Sequence, residues 1–275
     1  MKKFTAKKQN KLSAALMDEY GRIPYGALCK IFKDKDVKVN GKRISEDMIL
    51  NAGDIVECYY QGLEDKKDEL KVLYVDENVL VIDKPQSIDS DKMFERVKEE
   101  YPSAYYCHRL DTNTSGVMVF ALNQMAYDEI LRAFKERTFD KYYIAEVYGK
   151  FDKKQGILSD FLIKDADKSI VKIVKNKTGG AKTVKTEYKV LSEKDESSIV
   201  EVKLLTGRTH QIRAHLAYYG HFIIGDGKYG DERINARFHK HKQCLQAYKI
   251  VFHFNQGDFL YYLDGKTVEC EPLYK

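Results

Sequence analysis

The sequence predicts an α+β protein, with a body built on a largely antiparallel or mixed β-sheet, flanking helices and a central cleft, preceded by a small α/β module. Three observations carry this reading. The first sixty or so residues alternate helical and strand patterns at the scale of a compact module. A charged stretch without apolar periodicity follows. Beyond it, β-rich runs recur with isolated helices between them and not as a repeating βαβ array, and no internal repeat or low-complexity segment is present.

In chain order, Lys11 to Tyr20 and Tyr25 to Lys33 read as amphipathic helices, because Gly21-Arg22-Ile23-Pro24 breaks the pattern between them. Asp36 to Ile44 alternates apolar and polar residues around Asn40-Gly41, a hairpin signal, and Ala52 to Cys58 gives a second turn and strand. The module is placed at 1–62. Glu64-Asp65-Lys66-Lys67-Asp68-Glu69 marks a linker at 63–69. The body, 70–275, opens with two β-rich runs in Leu70 to Asp83 hinged at Asp76-Glu77-Asn78. Further strands are expected at Gly116 to Ala121, Lys141 to Tyr148, Lys182 to Leu191 and Ser198 to Leu205, and helices at Gln124 to Lys135 and Thr209 to Tyr219.

Composition narrows the class. The chain has 275 residues, 43% hydrophobic and 32% charged, and lacks any run of roughly 18 apolar residues that would span a bilayer. The basic N-terminus is not followed by an apolar segment, so no secretory signal is read, and a cytoplasmic location is expected. Five scattered cysteines without a Cys-x-x-Cys pair argue against a disulfide framework and a zinc site. Net charge of +5 is compatible with a polyanionic partner but decides nothing alone. The 20 tyrosines could stack on bases or sit at the edge of the core.

In Tyr106-Cys107-His108-Arg109-Leu110-Asp111-Thr112-Asn113-Thr114-Ser115-Gly116, polar residues fill a turn immediately before an apolar strand, a usual place for catalytic groups. Alone, Asp111 could equally form an Asx turn or cap. The string His-Arg-Leu-Asp-x-x-Thr-Ser-Gly, however, resembles the signature of the RluA-type pseudouridine synthase family. So do Leu80 to Pro85, the strand Lys141-Tyr142-Tyr143-Ile144-Ala145, and Leu204 to Leu216 followed by Gly225-Asp226-x-x-Tyr229-Gly230. The N-terminal module resembles the alpha-L RNA-binding module, in which the helices and a Val-Asn-Gly-Lys turn present a basic face to structured RNA. Here that face would be Lys30, Lys33, Lys38, Lys42 and Arg43, although the same residues would also suit a solvated surface.

The resemblance implies an isomerase acting on uridines in structured RNA, with large-subunit ribosomal RNA as first choice and tRNA as the alternative. The rivals are a non-catalytic RNA-binding or ribosome-assembly protein and a hydrolase with an Asp and His pair, for which the sequence offers no Gly-x-Ser-x-Gly and no metal cluster. The reaction needs no redox change and no external group, so no cofactor and no metal are expected; a monomer is expected. Asp111 is implied as the catalytic carboxylate, Arg213 as its ion-pair partner, and Tyr143 as the residue that stacks on the uracil. Tyr142 should face away, since strand neighbours alternate. Arg109 is the implied wedge filling the gap left by a flipped base. Leu204 and Ile212 would form apolar walls. Arg208 could contact a phosphate or cap the turn after Thr206-Gly207. His210 and His215 lie five apart and roughly 140° from one another on a helix, which argues against a metal pair, and His210 and His108 read as orienting or packing residues. Two segments depart from the pattern or stand outside it. Gln86 to Asp91 is polar and acidic where the family has a Gly-containing segment ending in His-Pro, and Arg233 to Lys242 is basic, a phosphate contact or a solvated loop.

Overall fold

The computed structural model describes residues 2–20, 23, 25–60, 70–165 and 170–274. The linker read at 63–69 and most of the Gly21–Pro24 break lie outside the described residues. Contacts divide the chain into two compact units on either side of the Glu69–Leu70 junction.

The first unit contains β1 (Lys2–Thr5), β2 (Asn10–Lys11), α1 (Leu12–Tyr20), α2 (Tyr25–Lys33), β3 (Val37–Val39), β4 (Lys42–Ile44), β5 (Ile49–Leu50) and β6 (Ile55–Cys58). Four of its strands form a sheet ordered β1-β6-β3-β4. The β3–β4 hairpin turns at Asn40 and Gly41, both with positive φ, which is why Asn-Gly signals it. Leu12 and Leu16 of α1 and Ile31 of α2 pack on Val37, Val39 and Val56 in a core of their own.

The second unit contains β7 (Val72–Val75), β8 (Val79–Lys84), α3 (Ser90–Glu100), β9 (Tyr105–Tyr106), β10 (Ser115–Ala121), α4 (Gln124–Glu136), β11 (Asp140–Tyr148), β12 (Gln155–Asp165), β13 (Ile170–Val174), β14 (Lys182–Glu193), β15 (Ser197–Leu204), α5 (Gln211–Tyr218), α6 (Glu232–Arg237), β16 (Leu245–Val251) and β17 (Thr267–Glu269). The sheet runs β13-β12-β14-β15-β11-β16-β10-β8-β7, with β17 on β16 and β9 on β10. Every pairing is antiparallel except β10 with β16, so the sheet is mixed at its centre.

Strands β8 and β10 are covered on both faces, which explains their unbroken apolar runs. Val79, Val81, Val117 and Val119 pack against Ala126, Ile130 and Ala133 of α4. Leu80, Ile82, Met118 and Phe120 point the other way, to Met93 and Val97 of α3. The helix α3 was not anticipated; its N-cap is Asp89, whose side chain accepts from Lys92 N. The segment Gln86 to Asp91, read as a polar loop, is therefore the entry to a helix.

The parallel pair fixes the loop that ends in β10. Gly116 has φ +108, and a Cβ there would meet the Ala247 carbonyl at 2.0 Å, so only glycine lets β10 and β16 approach at Ser115–Gly116. On the other edge, where neither β16 nor β9 pairs with Val119, His108 Nε2 accepts the Val119 amide at 2.9 Å.

That acceptor must be neutral. Burial, helped by the charge of Lys141, pushes His108 down to about 3. The folded value lies below the ordinary one near 6.5. Its contribution to stability is therefore complete above about 6.5 and lost as pH falls toward about 3. In melting experiments the gap between wild type and His108→Gln should shrink as pH is lowered through that window; a gap independent of pH would contradict this role.

Candidate active site

The turn before β10 is held from three sides. Thr114 N donates to the Asp111 carbonyl at 2.9 Å, closing the turn. Ser90 Oγ donates to the Leu110 carbonyl at 2.8 Å and accepts from Leu110 N at 2.9 Å. Lys84 has no exposed surface, and its ammonium donates to the carbonyls of Ile88 at 2.7 Å, Pro85 at 3.0 Å and Thr112 at 3.3 Å. Burial pulls Lys84 down to about 8, against the attraction of Asp111 and Asp89. The backbone carrying Asp111 is thus pinned before any ligand arrives.

Asp111 reaches into a cavity of about 750 Å³ in the second unit. Its Oδ2 accepts from Arg213 Nη1 at 2.7 Å, and among the described residues its Oδ1 accepts no hydrogen bond. Arg213, named from the sequence as the ion-pair partner of Asp111, meets it through Nη1 alone and chelates Asp226 with its other edge. Nε meets Asp226 Oδ2 at 2.7 Å and Nη2 meets Oδ1 at 2.9 Å. The reason is geometric, since a planar guanidinium can offer one two-pronged edge and a remaining Nη to a second acid. Asp226 is fully buried, and its Oδ1 also accepts from the amides of Lys228 and Tyr229. Burial works against the charges of both partners. The hydrogen bonds and charges of Asp226 and Asp111 outweigh it on Arg213, raising its value, and those of Arg213 with the two amides lower that of Asp226.

Gly225 makes this possible, because a Cβ at its left-handed backbone would strike the Lys242 carbonyl at 2.1 Å. Asn235 of α6 accepts from Gly225 N at 2.7 Å and donates to the Asp226 carbonyl at 3.2 Å. Part of the basic segment 233–242 is therefore scaffolding for Asp226. Tyr229 lies under Arg213 with its ring 5.2 Å from the guanidinium carbon, and its hydroxyl meets His210 Nδ1 at 3.0 Å. Asp226 and Tyr229 stood in the Gly-Asp-x-x-Tyr-Gly string but were assigned no role from sequence.

His210 occupies a left-handed position ahead of α5, so the helix begins at Gln211 and not at Thr209. Its Nε2 is 3.8 Å from Asp111 Oδ2. Burial lowers its pKa despite the Asp111 charge. His215 faces elsewhere, bonding Thr186 at 2.8 Å and Asp160 at 3.1 Å. Gln211 completes that buried chain by accepting from Thr206 Oγ1 at 2.7 Å and donating to Thr186 Oγ1 at 3.0 Å. The chain locks α5, and with it Arg213, onto β14.

Tyr143, Leu204, Ile212, Arg109 and Arg208 all line the same cavity. Burial first, then the Asp111 charge, raises the Tyr143 phenol, so it is neutral at physiological pH. Tyr142 points away and receives Lys249 at 4.2 Å and Lys203 at 5.4 Å over its ring. Arg208 uses its backbone amide to bond Gln211, which joins the turn after Thr206-Gly207, while its side-chain Nε is buried without a hydrogen-bond partner among the described residues. In the first unit, Lys38 and Arg43 lie 5.0 and 5.4 Å over the Tyr59 ring, Lys30 lies 5.9 Å over Tyr60, and Lys33 and Lys42 are exposed. No helix among the described residues is long and apolar enough to cross a membrane.

The family model described as RNA pseudouridylate synthase matches residues 78–218. The chain is 30% identical to ribosomal large subunit pseudouridine synthase C of Vibrio cholerae serotype O1, covering 86% of this chain and 83% of that protein. It is 37% identical to the dual-specificity RNA pseudouridine synthase RluA of Yersinia pestis over 63% of this chain and 90% of that one. Human RNA pseudouridylate synthase domain containing 1 superposes with a TM-score of 0.60 at 27% identity, covering 75% of this chain and 91% of that chain.

Proposed function

The chain belongs to the RNA pseudouridylate synthase family, and from that premise we propose that it isomerises specific uridines in large-subunit ribosomal RNA, with Asp111 as the catalytic carboxylate. The observation that carries this is the single-sided tether of Asp111. Arg213 holds Oδ2, while Oδ1 is left without a protein donor among the described residues and faces a cavity large enough for a nucleoside.

In the reaction the N1–C1′ bond of uridine breaks, uracil turns over, and a C5–C1′ bond forms; the proton leaves C5 and N1 gains one. No electrons are exchanged with another molecule. Oδ1 acts at the ribose, as nucleophile on C1′ or as base toward the C2′ proton, and either step needs an ionised carboxylate. Arg213, its own charge shared with Asp226, holds Asp111 by Oδ2 without covering its reactive oxygen. Tyr143, neutral and half-buried, packs against the uracil and can hydrogen-bond it, and Leu204 and Ile212 enclose the base. Arg109, exposed at the cavity edge, fills the space that the flipped base leaves. His210 holds Tyr229 beneath the Arg213 guanidinium.

Lys38, Lys42 and Arg43 of the N-terminal unit, on the β3–β4 hairpin, serve as an RNA-contacting face of the alpha-L type. Pseudouridine mapping of total RNA with and without the gene tests the target. Loss of one or more sites in large-subunit ribosomal RNA supports the proposal. Loss confined to tRNA would replace the target, and no loss anywhere would overturn it.

A further inference from the structure

The cavity holds more positive charge than its one lining carboxylate, Asp111, explains. Arg213 is matched by two carboxylates, but Arg137, Lys141 and Arg208 line the same cavity with no acidic partner among the described residues. Lys141 Nζ lies 5.4 Å from the Phe134 ring centroid, and a Cβ on Gly207 would sit 3.4 Å from that ammonium, which places it against the backbone next to Arg208. Among the described residues Arg208 Nε is buried without a hydrogen-bond partner.

Arg137 ends α4 in the left-handed conformation, φ 63 and ψ 37, where helices favour glycine. A cation at a helix C-terminus suits the helix dipole, but that accounts neither for an arginine at a glycine position nor for Lys141, which lies on β11. Burial lowers Lys141, and the like charge of Arg137 lowers it further. Three cations that line one cavity without an acidic partner among the described residues form a site for an anion.

We propose that Arg137, Lys141 and Arg208 bind a backbone phosphodiester of the RNA strand next to the flipped uridine. The proposal rests on the cavity being the uridine site. It extends that reading by naming the wall that grips the strand, which neither Asp111 nor Tyr143 can do.

The test uses the full chain and labelled pentauridylate, with affinity measured across about 50 to 300 mM salt. Each lost phosphate contact should flatten the slope of log K against log salt by about 0.7 on a single strand. Lys141→Met, which keeps the stem over Phe134, and Arg137→Gly, which suits the left-handed backbone, should each flatten it by that amount. Arg137→Gly should melt no earlier than wild type, separating loss of charge from loss of fold. Lys154→Met, which removes a surface lysine paired with Glu193, should leave the slope unchanged. Slopes unaffected by Lys141→Met and Arg137→Gly, an equal loss in Lys154→Met, or no saturable binding by wild type would overturn the proposal. Because binding is read without turnover, absence of pseudouridine in any RNA would sink the proposed reaction while leaving this measurement decisive for the phosphate site.

Discussion

Asp111→Asn should slow pseudouridine formation by roughly four orders of magnitude or more while changing RNA affinity by less than about twofold. Asparagine keeps the size of the side chain and can still accept from Arg213 Nη1, but it cannot attack C1′ or take a proton as a carboxylate does. The site should not collapse around it. Arg213 retains both hydrogen bonds to Asp226, and the turn retains the Ser90 and Lys84 contacts, none of which involves the Asp111 side chain. Comparing single-turnover rates with binding isotherms separates the two effects. An Asn variant with more than about a tenth of the wild-type rate would remove Asp111 from the chemistry.

Asp226→Ala should have the largest effect on stability, about 3–5 kcal/mol, because it leaves a buried guanidinium facing an empty space where a two-pronged partner had been. For a body of this size that corresponds to a fall in melting temperature of roughly 6–20 °C. Asp111→Ala should cost far less, since the Asp111 side chain is 28% exposed and supplies only one of the three Arg213 contacts. Melting curves of the two variants side by side make the comparison. If Asp226→Ala melted within a degree or so of wild type, the buried pair would not be what holds Arg213.

The two carboxylates also show what a sequence can and cannot disclose. Asp111 was legible as a candidate because its neighbours form a dense string before an apolar strand, and Tyr143 and Arg213 because each sits in a string of its own; the folded chain brings all three to one cavity. Asp226 lay in such a string too, but nothing local says that its carboxylate turns back onto an arginine 13 positions earlier. That contact depends on Gly225 fitting against Lys242 and on Asn235 holding the backbone, which only the folded chain brings together.

The same distinction separates the elements that were read from those that were not. The β3–β4 hairpin is decided by two adjacent residues, Asn40 and Gly41. Strand β12 runs Ile157-Leu158 and Phe161-Leu162-Ile163, so its apolar and polar residues do not alternate in sequence although its burial largely does. Strand β16 gains its place from a parallel pairing with a strand more than a hundred residues away. Helix α3 was readable, through Asp89 as cap and Met93 and Val97 four apart, yet its acidic start looked like a loop. Lys84 was quoted for its place before a proline, whereas its burial beneath the Asp111 turn depends on the carbonyls of three separate residues.

The most direct test of the central claim is the pseudouridine content of uridine-containing ribosomal RNA before and after incubation with the purified chain, without added metal or nucleotide. The account predicts that wild type converts uridine to pseudouridine at defined positions and that Asp111→Asn converts none. Wild-type protein that leaves every uridine unchanged, or an Asn variant that modifies the same positions at the same rate, would contradict it.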